Sequence, residues 1–339
     1  MKTFTRSNFV LLAVIPLVKA GRQHLMSSLL VILLVIITSP DSFAQLSRHW
    51  ITDPLKTGSS NIETYAAHAL DHQKNLTILG TNGTTTYTGG EPTSNTRITY
   101  YVVATSGTVL TAIVINLGNG SLWDTPTKLR FDKSGNSYIL GKSAFSDGSI
   151  KCFIAKITER KEVAWVLSKT REGSIKDFTL DQNGSLYYVG TTTEGGLDYI
   201  RTVKISSDGD EVWETMYAGS HGDGATAYTL ESDNNGGVFV STSSLIFIPG
   251  VGYETDIILA KYNAVSGAEV FVKSYKSEKI NGNYEYEEPK KILPGPSGNV
   301  YLISQQSDNY LSSQVLIYKI SGQGDLMWLK GGGQFIDFS

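Results

Sequence analysis

A short pattern that recurs along the chain constrains the fold more than any other feature. An Asp is followed three residues later by Gly, after three more by an aromatic residue, and after another three by a small residue. Successive copies begin at positions 71, 132, 181, 233 and 295, so they are 61, 49, 52 and 62 residues apart. A repeat of this length indicates one structural unit that is stacked several times. The slots are filled by Asp132, Gly135, Tyr138 and Gly141; by Asp181, Gly184, Tyr187 and Gly190; by Asp233, Gly236, Phe239 and Thr242; and by Gly295, Gly298, Tyr301 and Ser304, while a degenerate first copy keeps Asp71 and Gly80.

A second anchor follows each of the four clear copies. It is a lysine-bearing segment (AKIT, VKIS, AKYN or YKIS), after which Trp165, Trp213 and Trp328 each lie nine residues beyond the lysine, and Phe271 lies ten beyond it. Each unit therefore reads as four short strands joined by polar, glycine-rich turns. Sheets arranged radially cover each other's faces and leave only short edges exposed. The sequence predicts an all-β fold, a β-propeller of four-stranded blades with five units visible, whose aromatic slots lie between the sheets.

The Asp and Gly slots have a local explanation as turns between strands. An Asp side chain accepts hydrogen bonds from backbone N–H groups two residues on, and Gly takes the positive φ of a tight reversal. A calcium loop is the alternative for DKSGN, DQNG and DNNGG. These segments lack the further carboxylates of a DxDxDG loop, so the turn is favoured.

At this point the chain resembles a known group, the secreted bacterial β-propeller repeat proteins, whose units run DxxGNxYxxG, then a lysine-bearing strand, then Gly and Trp. DKSGNSYILG with AKIT and Trp165 matches this order, as do PSGNVYLIS, YKIS and Trp328, and the resemblance covers about residues 63–333. It implies an exported protein or module, commonly with six to eight blades and a carboxyl-terminal sorting segment. The motif is structural rather than catalytic. This chain departs from the group by showing five units and no such tail.

Composition excludes several classes of function. Lys plus Arg total 29 against 32 Asp plus Glu, so the net charge is -3 and we expect no nucleic-acid partner. Cys152 is the only cysteine, so no intramolecular disulfide forms, and its strand-like surroundings favour a buried thiol. The HExxH, GxSxG and P-loop signatures are absent, and the histidines are scattered. We expect no metal and no cofactor.

Residues 1–44 read as a cleaved signal peptide. Basic residues such as Lys2 precede an apolar run at 29–37, and small residues near Ala44 favour cleavage after that position. A membrane anchor is the alternative, but the run is shorter than the roughly 20 residues that cross a bilayer. We therefore expect a secreted, periplasmic or cell-surface protein, a monomer with no membrane span after cleavage.

The number of blades stays open in the sequence. Residues 45–62 form a lead segment in which Trp50 stands where the outermost strand of a closing blade would lie, and residues 63–339 hold the repeats. Trp123 is read as a marker of an outer strand in the first unit. Either five blades close into a small ring, or the chain is a fragment of a six- to eight-bladed ring, which is favoured.

The loops between the second and third strands of each blade gather on one face, where propellers usually bind partners. The segment SSLIFIPGVGYET, residues 243–255, is too apolar for a solvated connector, and either extends a strand or forms a contact patch. Six aromatic residues on or near this face are candidates for stacking on sugar rings or binding peptide: Phe145, Phe247, Tyr253, Tyr284, Tyr286 and Tyr310.

Three functions fit these features. The leading interpretation is an exported, non-enzymatic propeller that binds a glycan or protein partner, or serves as a module of a surface protein. A carbohydrate-active hydrolase or lyase is the alternative, since Asp177, Asp223 and Glu285 could converge on a cleft. The default for the acidic run at 284–291 is a solvated loop. A structural spacer is the third possibility.

Overall fold

The computed structural model describes residues 62–88, 91–169, 173–219, 225–248, 252–276, 285–308 and 313–331. The expected signal peptide and Trp50 lie outside these residues. Within them, regular structure is β-strand except for one 3-10 turn at Pro296–Gly298. No helix in these ranges is long and apolar enough to cross a membrane.

Twenty strands in the described ranges form five units of four, which we call blades 1 to 5. Blade 1 holds β1 (Ile62–Leu70), β2 (Leu76–Thr88), β3 (Glu91–Val103) and β4 (Val109–Ile115). Blade 2 holds β5 (Trp123–Phe131), β6 (Ser137–Ala144), β7 (Ile150–Ile157) and β8 (Val163–Lys169). Blade 3 holds β9 (Gly173–Leu180), β10 (Leu186–Glu194), β11 (Leu197–Ile205) and β12 (Glu211–Tyr217). Blade 4 holds β13 (Ala225–Ser232), β14 (Gly237–Ile248), β15 (Gly252–Asn263) and β16 (Glu269–Tyr275), and blade 5 holds β17 (Glu285–Pro294), β18 (Val300–Asp308), β19 (Ser313–Ile320) and β20 (Leu326–Gly331).

Every blade is an antiparallel meander in which consecutive strands are neighbours. Blades 3, 4 and 5 are separate sheets, while one parallel pair, Thr96 with Trp123, joins blades 1 and 2. Trp123 begins β5, the first strand of blade 2, so the expectation that it marks an outer strand of the first unit is wrong. The first strands β1, β5, β9, β13 and β17 pack against one another in that order. The fold is the all-β propeller of four-stranded blades that the repeat predicts.

The blades are equivalent down to their irregularities. A β-bulge interrupts the first strand of all five, and its extra residues are Ala66, Thr127, Lys176, Tyr228 and Lys290. A second register shift occurs in the pairing of strands 3 and 4 in every blade, for example after Lys156 and after Lys204. Because bulges bend a strand and redirect its side chains, each first strand has the same bend at the same place.

The hydrophobic core of the described residues is divided among four clusters, and each lies between two consecutive blades. One cluster, for instance, joins Tyr187 and Val189 of blade 3 to Leu230 and Val240 of blade 4. A ring buried in this way contributes about 2 to 3 kcal/mol. Burial of these facing surfaces therefore makes the stability of each blade depend on its neighbour, as expected for stacked repeats.

The aromatic slots lie at these contacts between blades. Tyr138, Tyr187 and Phe239 are each 0% exposed, whereas Tyr301 in blade 5 is half-buried. Each ring packs on the aromatic residue of its blade's fourth strand, with centroids 5.9 to 6.4 Å apart: Tyr138 on Trp165, Tyr187 on Trp213, Phe239 on Phe271 and Tyr301 on Trp328. The predicted position between sheets is confirmed for three blades, and blade 5 presents the same pair less covered.

The Asp slot makes the turn that was expected. Asp132 Oδ1 accepts from the backbone N–H of Ser134 and of Asn136, each at 2.9 Å. Asp181 makes the same bonds and also accepts from the Tyr187 hydroxyl at 2.9 Å. Burial, followed by the hydrogen bond and charge of Asp181, raises the pKa of Tyr187. The carboxylate oxygens are occupied by N–H and O–H donors, as the turn interpretation requires.

In blade 2 the last slot of the repeat is glycine because there is no room for a side chain. A Cβ added at Gly141 would lie 2.5 Å from both the Thr125 carbonyl oxygen and Phe153 Cζ. Cys152 is buried and free, as its strand surroundings predict.

Candidate binding face

The face that carries the candidate aromatic residues is built by hairpins between strands 2 and 3. Since neighbouring strands run antiparallel, these hairpins end opposite the Asp–Gly turns. The blade 2 hairpin closes by a bond from the Phe145 N–H to the Ser149 carbonyl, at 3.0 Å. The blade 3 hairpin closes directly from Glu194 to Leu197.

The blade 4 hairpin is extended, as its apolar sequence indicated, and among the described blades only the blade 1 hairpin, with 13 residues in each strand, is longer. Its strands β14 and β15 have 12 residues each, against nine each for β10 and β11 of blade 3. Pairing continues to Ile248 opposite Gly252, with Phe247 directly opposite Tyr253. The strand extension is therefore present. Side chains at 245–254 lie outside the described residues, so a contact patch there stays a prediction.

The other candidates are spread over two blades. Phe145 is half-buried in the blade 2 turn, with the Lys151 ammonium 4.5 Å from its ring centre. Tyr286 is 41% exposed on β17 of blade 5. Tyr284 and Tyr310 lie outside the described residues. A binding role for any of the six stays a prediction.

Tyr228, which the sequence did not single out, is the extra residue of the blade 4 bulge. Its hydroxyl accepts from Ser243 Oγ at 3.4 Å, and burial is the main cause that raises its pKa. Glu288 of blade 5 is close enough to add to this rise. The bulge, which is not visible in the sequence, aims this ring toward the neighbouring blade.

The first strands carry a polar network that ties three blades together. Asp177 on β9 is 4% exposed, and its carboxylate is ion-paired with Lys128 of blade 2. The same carboxylate accepts from Thr229 Oγ1 of blade 4 at 2.6 Å and from the Phe178 N–H at 2.7 Å. Asp177 is thus a buried link between blades and not an open carboxylate at a cleft.

A second layer of this network spans blades 2 and 4. The Arg130 guanidinium donates to Glu231 at 2.9 Å, and the Thr179 hydroxyl of blade 3 donates to the same carboxylate. The partners are 49 to 101 residues apart in sequence, and no local pattern predicts them.

Two further buried carboxylates occupy equivalent positions, three residues before the bulge residue. Asp124 of blade 2 accepts from Ser121 Oγ at 2.7 Å and Ser143 Oγ at 2.6 Å. Glu287 of blade 5 accepts from the Tyr318 hydroxyl at 2.7 Å and from Ser304. Glu287 belongs to the acidic run that was read as a solvated loop. That reading is wrong, because the run forms β17 from Glu285 onward. An acidic residue two before Pro, as at Pro126 and Pro289, is the signal that could have found both.

No group of three or more His, Cys, Asp and Glu side chains that could hold a metal ion occurs among the described residues.

No family model matches the chain, and no curated protein matches it in sequence. Solved structures match it at low identity. The polysaccharide lyase Uly1 has 9% identity and a TM-score of 0.41, with 79% of this chain and 57% of that one covered. The PL25 ulvan lyase has 10% identity and a TM-score of 0.46, covering 77% and 68%. The endo-arabinase from Bacteroides thetaiotaomicron has 12% identity and a TM-score of 0.36, covering 76% and 94%. Likenesses of this degree assign no function to the chain.

Proposed function

We propose that this chain is an exported, non-enzymatic β-propeller that binds a glycan or protein partner, either alone or as a module of a surface protein. The contact would be made by the face on which the strand 2–strand 3 hairpins end. The observation that carries the proposal is the extended hairpin of blade 4, formed by β14 and β15.

The extension has both the reach and the sequence of a contact surface. Aligned on Tyr187 and Phe239, the blade 4 pairing continues two residues per strand beyond the last pair of the blade 3 hairpin, and at about 3.4 Å each these carry the tip about 7 Å further. The outer part of the hairpin reads Leu245, Ile246, Phe247 and Ile248, of which the last two lie beyond the blade 3 length, and Tyr253 is opposite Phe247. Directly opposite residues of an antiparallel pair belong to the same face. Aromatic residues placed together on a projecting hairpin fit stacking on a sugar ring or insertion into a protein partner.

The state of Asp177 supports binding over hydrolysis. Glycoside cleavage requires two carboxylates on either side of the scissile bond. Asp177 is instead buried and held by Lys128, Thr229 and a backbone N–H. Its removal is expected to loosen the blades, which is a structural effect.

The test compares the double variant Phe247→Ala/Tyr253→Ala with the wild type and with Val265→Ala. Val265 is a matched apolar control, exposed in the turn between strands 3 and 4 at the other end of the blade. Retardation in native gels cast with neutral or acidic polysaccharides reports glycan binding, and capture of proteins from the producing cell's surface fraction reports a protein partner. We expect the double variant alone to lose binding.

The same samples are assayed for release of reducing ends and of unsaturated products. Turnover by the wild type would refute the non-enzymatic proposal in favour of a hydrolase or lyase. Binding that survives in the double variant would refute the hairpin as the contact, and the absence of any binding would leave a spacer as the function.

Export and membership of the secreted bacterial propeller-repeat group belong to this proposal. It is supported by the order of charged, apolar and small residues in 1–44 and by the DxxGNxYxxG units. Amino-terminal sequencing of the protein from the producing cell is expected to begin at Gln45. A protein that retains residues 1–44 would refute cleavage.

A further inference from the structure

In blades 2, 3 and 4 the aromatic residue of the fourth strand lies on a glycine of the next blade. A Cβ built on Gly209 would be 3.0 Å from Cγ of Trp165, one on Gly267 would be 2.8 Å from Cδ2 of Trp213, and one on Gly324 would be 2.9 Å from Cδ2 of Phe271. We call this the ring-on-glycine contact. All three glycines lie in the turn between strands 3 and 4 and have positive φ, at 96°, 73° and 84°. No other residue fits, because both the space and the backbone conformation exclude a side chain.

The contact also has a polar part that repeats. Trp165 Nε1 and Lys156 Nζ both donate to the Ser207 carbonyl oxygen, at 3.1 and 2.9 Å. Trp213 Nε1 and Lys204 Nζ both donate to the Ala264 carbonyl oxygen, at 3.3 and 2.8 Å. One carbonyl of the receiving turn therefore accepts from both donors of the preceding blade.

Blades 1 and 2 show what happens when the ring is missing. Thr111 stands opposite Val102 in blade 1, the position that Trp165 holds opposite Lys156 in blade 2. The receiving turn of blade 2 then has Lys161 in place of glycine, and its ammonium lies 5.0 Å from the centre of the Tyr100 ring. In blades 3, 4 and 5 glycine occupies this turn position under a ring, and in blade 2 it is replaced by Lys161, which follows a blade without that ring.

Blade 5 presents the donor half of the contact without a receiver in the described structure. Lys319 lies 5.7 Å from the Tyr301 ring centre, as Lys156 and Lys204 lie 5.5 and 5.4 Å from theirs. Trp328 is 36% exposed, and Tyr301 is half-buried although the equivalent rings are fully buried. The three side chains are arranged as in blades 2 and 3 but are not covered to the same extent.

Blade 1 presents the receiving half. Its turn Ala104 to Thr108 has the same two backbone bonds as the turn at Ser206, each 2.8 Å long, and Gly107 has a φ of 89°. The described residues contain no outer strand ahead of it. Gly107 therefore matches the glycines that lie under a ring in blades 3, 4 and 5, whereas Lys161 of blade 2 does not.

We propose that blade 5 of one molecule docks on the blade 1 turn of a second copy, with Trp328 on Gly107 and with Trp328 Nε1 and Lys319 Nζ donating to the Thr105 carbonyl. A second copy is favoured over the same chain because, in the described structure, Trp328 remains exposed and Tyr301 is only half-buried. The contact is heterologous, so it builds a head-to-tail ring or filament. It would replace the monomer expected from the sequence.

The contact between blades 4 and 5 suggests a substitution that should strengthen the proposed contact between copies. Lys273, two residues after Phe271, donates to Asp325, the residue after Gly324, at 2.7 Å. Lys330 and Thr108 are the equivalent positions of the proposed contact. Thr108→Asp should add this ion pair between copies, and an exposed pair tightens association by up to about fivefold. Ser106→Asp adds the same charge to the same turn away from Lys330 and is the matched control.

The measurement is sedimentation velocity of the full chain over a concentration series. The wild type is expected to associate, Trp328→Ala to lose at least tenfold in affinity, and Met327→Ala, its exposed neighbour, to keep it. Thr108→Asp should associate more tightly than both the wild type and Ser106→Asp, and near-ultraviolet circular dichroism checks that each variant is folded.

A monomer at every concentration would overturn the proposal and would indicate that the blade 5 face is covered within one chain. An association affinity that is unchanged in both Trp328→Ala and Thr108→Asp would overturn it equally, because the interface would then lie elsewhere. Neither result bears on binding by the blade 4 hairpin, which is measured separately with Phe247→Ala/Tyr253→Ala.

Discussion

The ring-on-glycine contact between blades 3 and 4 makes a sharp prediction for stability. In Gly267→Ala the new Cβ would lie 2.8 Å from Cδ2 of Trp213 and 3.0 Å from two further ring carbons. Carbon atoms pack best at about 3.5 to 4.0 Å, so the ring must shift, at a cost of about 1 to 3 kcal/mol. Alanine at a φ of 73° adds about 1 to 2 kcal/mol. We expect a loss of about 2 to 5 kcal/mol in the free energy of unfolding.

Gly148→Ala separates these two costs. Gly148 has a φ of 79°, and a Cβ there meets nothing within 4 Å. This control should therefore lose only the backbone share of about 1 to 2 kcal/mol. Urea unfolding followed by circular dichroism gives both values. In a Trp213→Ala background, the cost of Gly267→Ala should fall to that of the control, since the obstructing ring is gone. Equal costs for Gly267→Ala and Gly148→Ala in the native background would refute the contact as a constraint on this turn.

Two further predictions concern the polar network and the buried tyrosines. Asp177→Ala removes an ion pair, the Thr229 hydrogen bond and a backbone acceptor, and should lower the unfolding free energy by about 2 to 3 kcal/mol in urea; a loss below about 0.5 kcal/mol would contradict its role as a link. Burial raises the pKa of Tyr262 and Tyr275 above the ordinary 10.0, so their stabilising share is complete below pH 10 and is lost as the pH rises toward the folded values. Stability should thus fall above about pH 10, less steeply in Tyr262→Phe; an unchanged slope in that variant would contradict burial as the cause.

The fold could be predicted from sequence wherever structure is local. Asp132 and Asp181 act within their own turns, and Tyr138 and Tyr187 alternate along single strands, so each signal is complete within ten residues. The strand layout of blade 1 could not be predicted, because its outer strand carries Thr111 where the others carry an aromatic residue.

The polar interior could not be predicted, because it depends on register between distant strands. A bulge of one residue decides which side of β9 presents Asp177, and its partner Lys128 is 49 residues away. The same reason hid Glu287, whose neighbours in the run are exposed while it points at Tyr318. In the candidate site, the sequence identified the long hairpin of blade 4 but could not assign the bulge residue Tyr228.

Comparison of the blades with each other supplies what a single blade lacks. Lys161 is unremarkable within blade 2, and Thr111 is unremarkable within blade 1. Taken together they show that a turn and the preceding outer strand vary as a pair. Gly209, Gly267 and Gly324 each lie under the fourth-strand ring of the preceding blade, whereas Lys161 follows a blade whose fourth strand has Thr111 at that position. The fold of a blade is therefore specified by its own turns and strands. Its packing on the next blade is specified by pairs of residues about 50 positions apart. The exposed ring of Trp328 and the glycine of the blade 1 turn are the two members of this set whose partners the chain does not supply in the described residues, which is why we expect association to occur there.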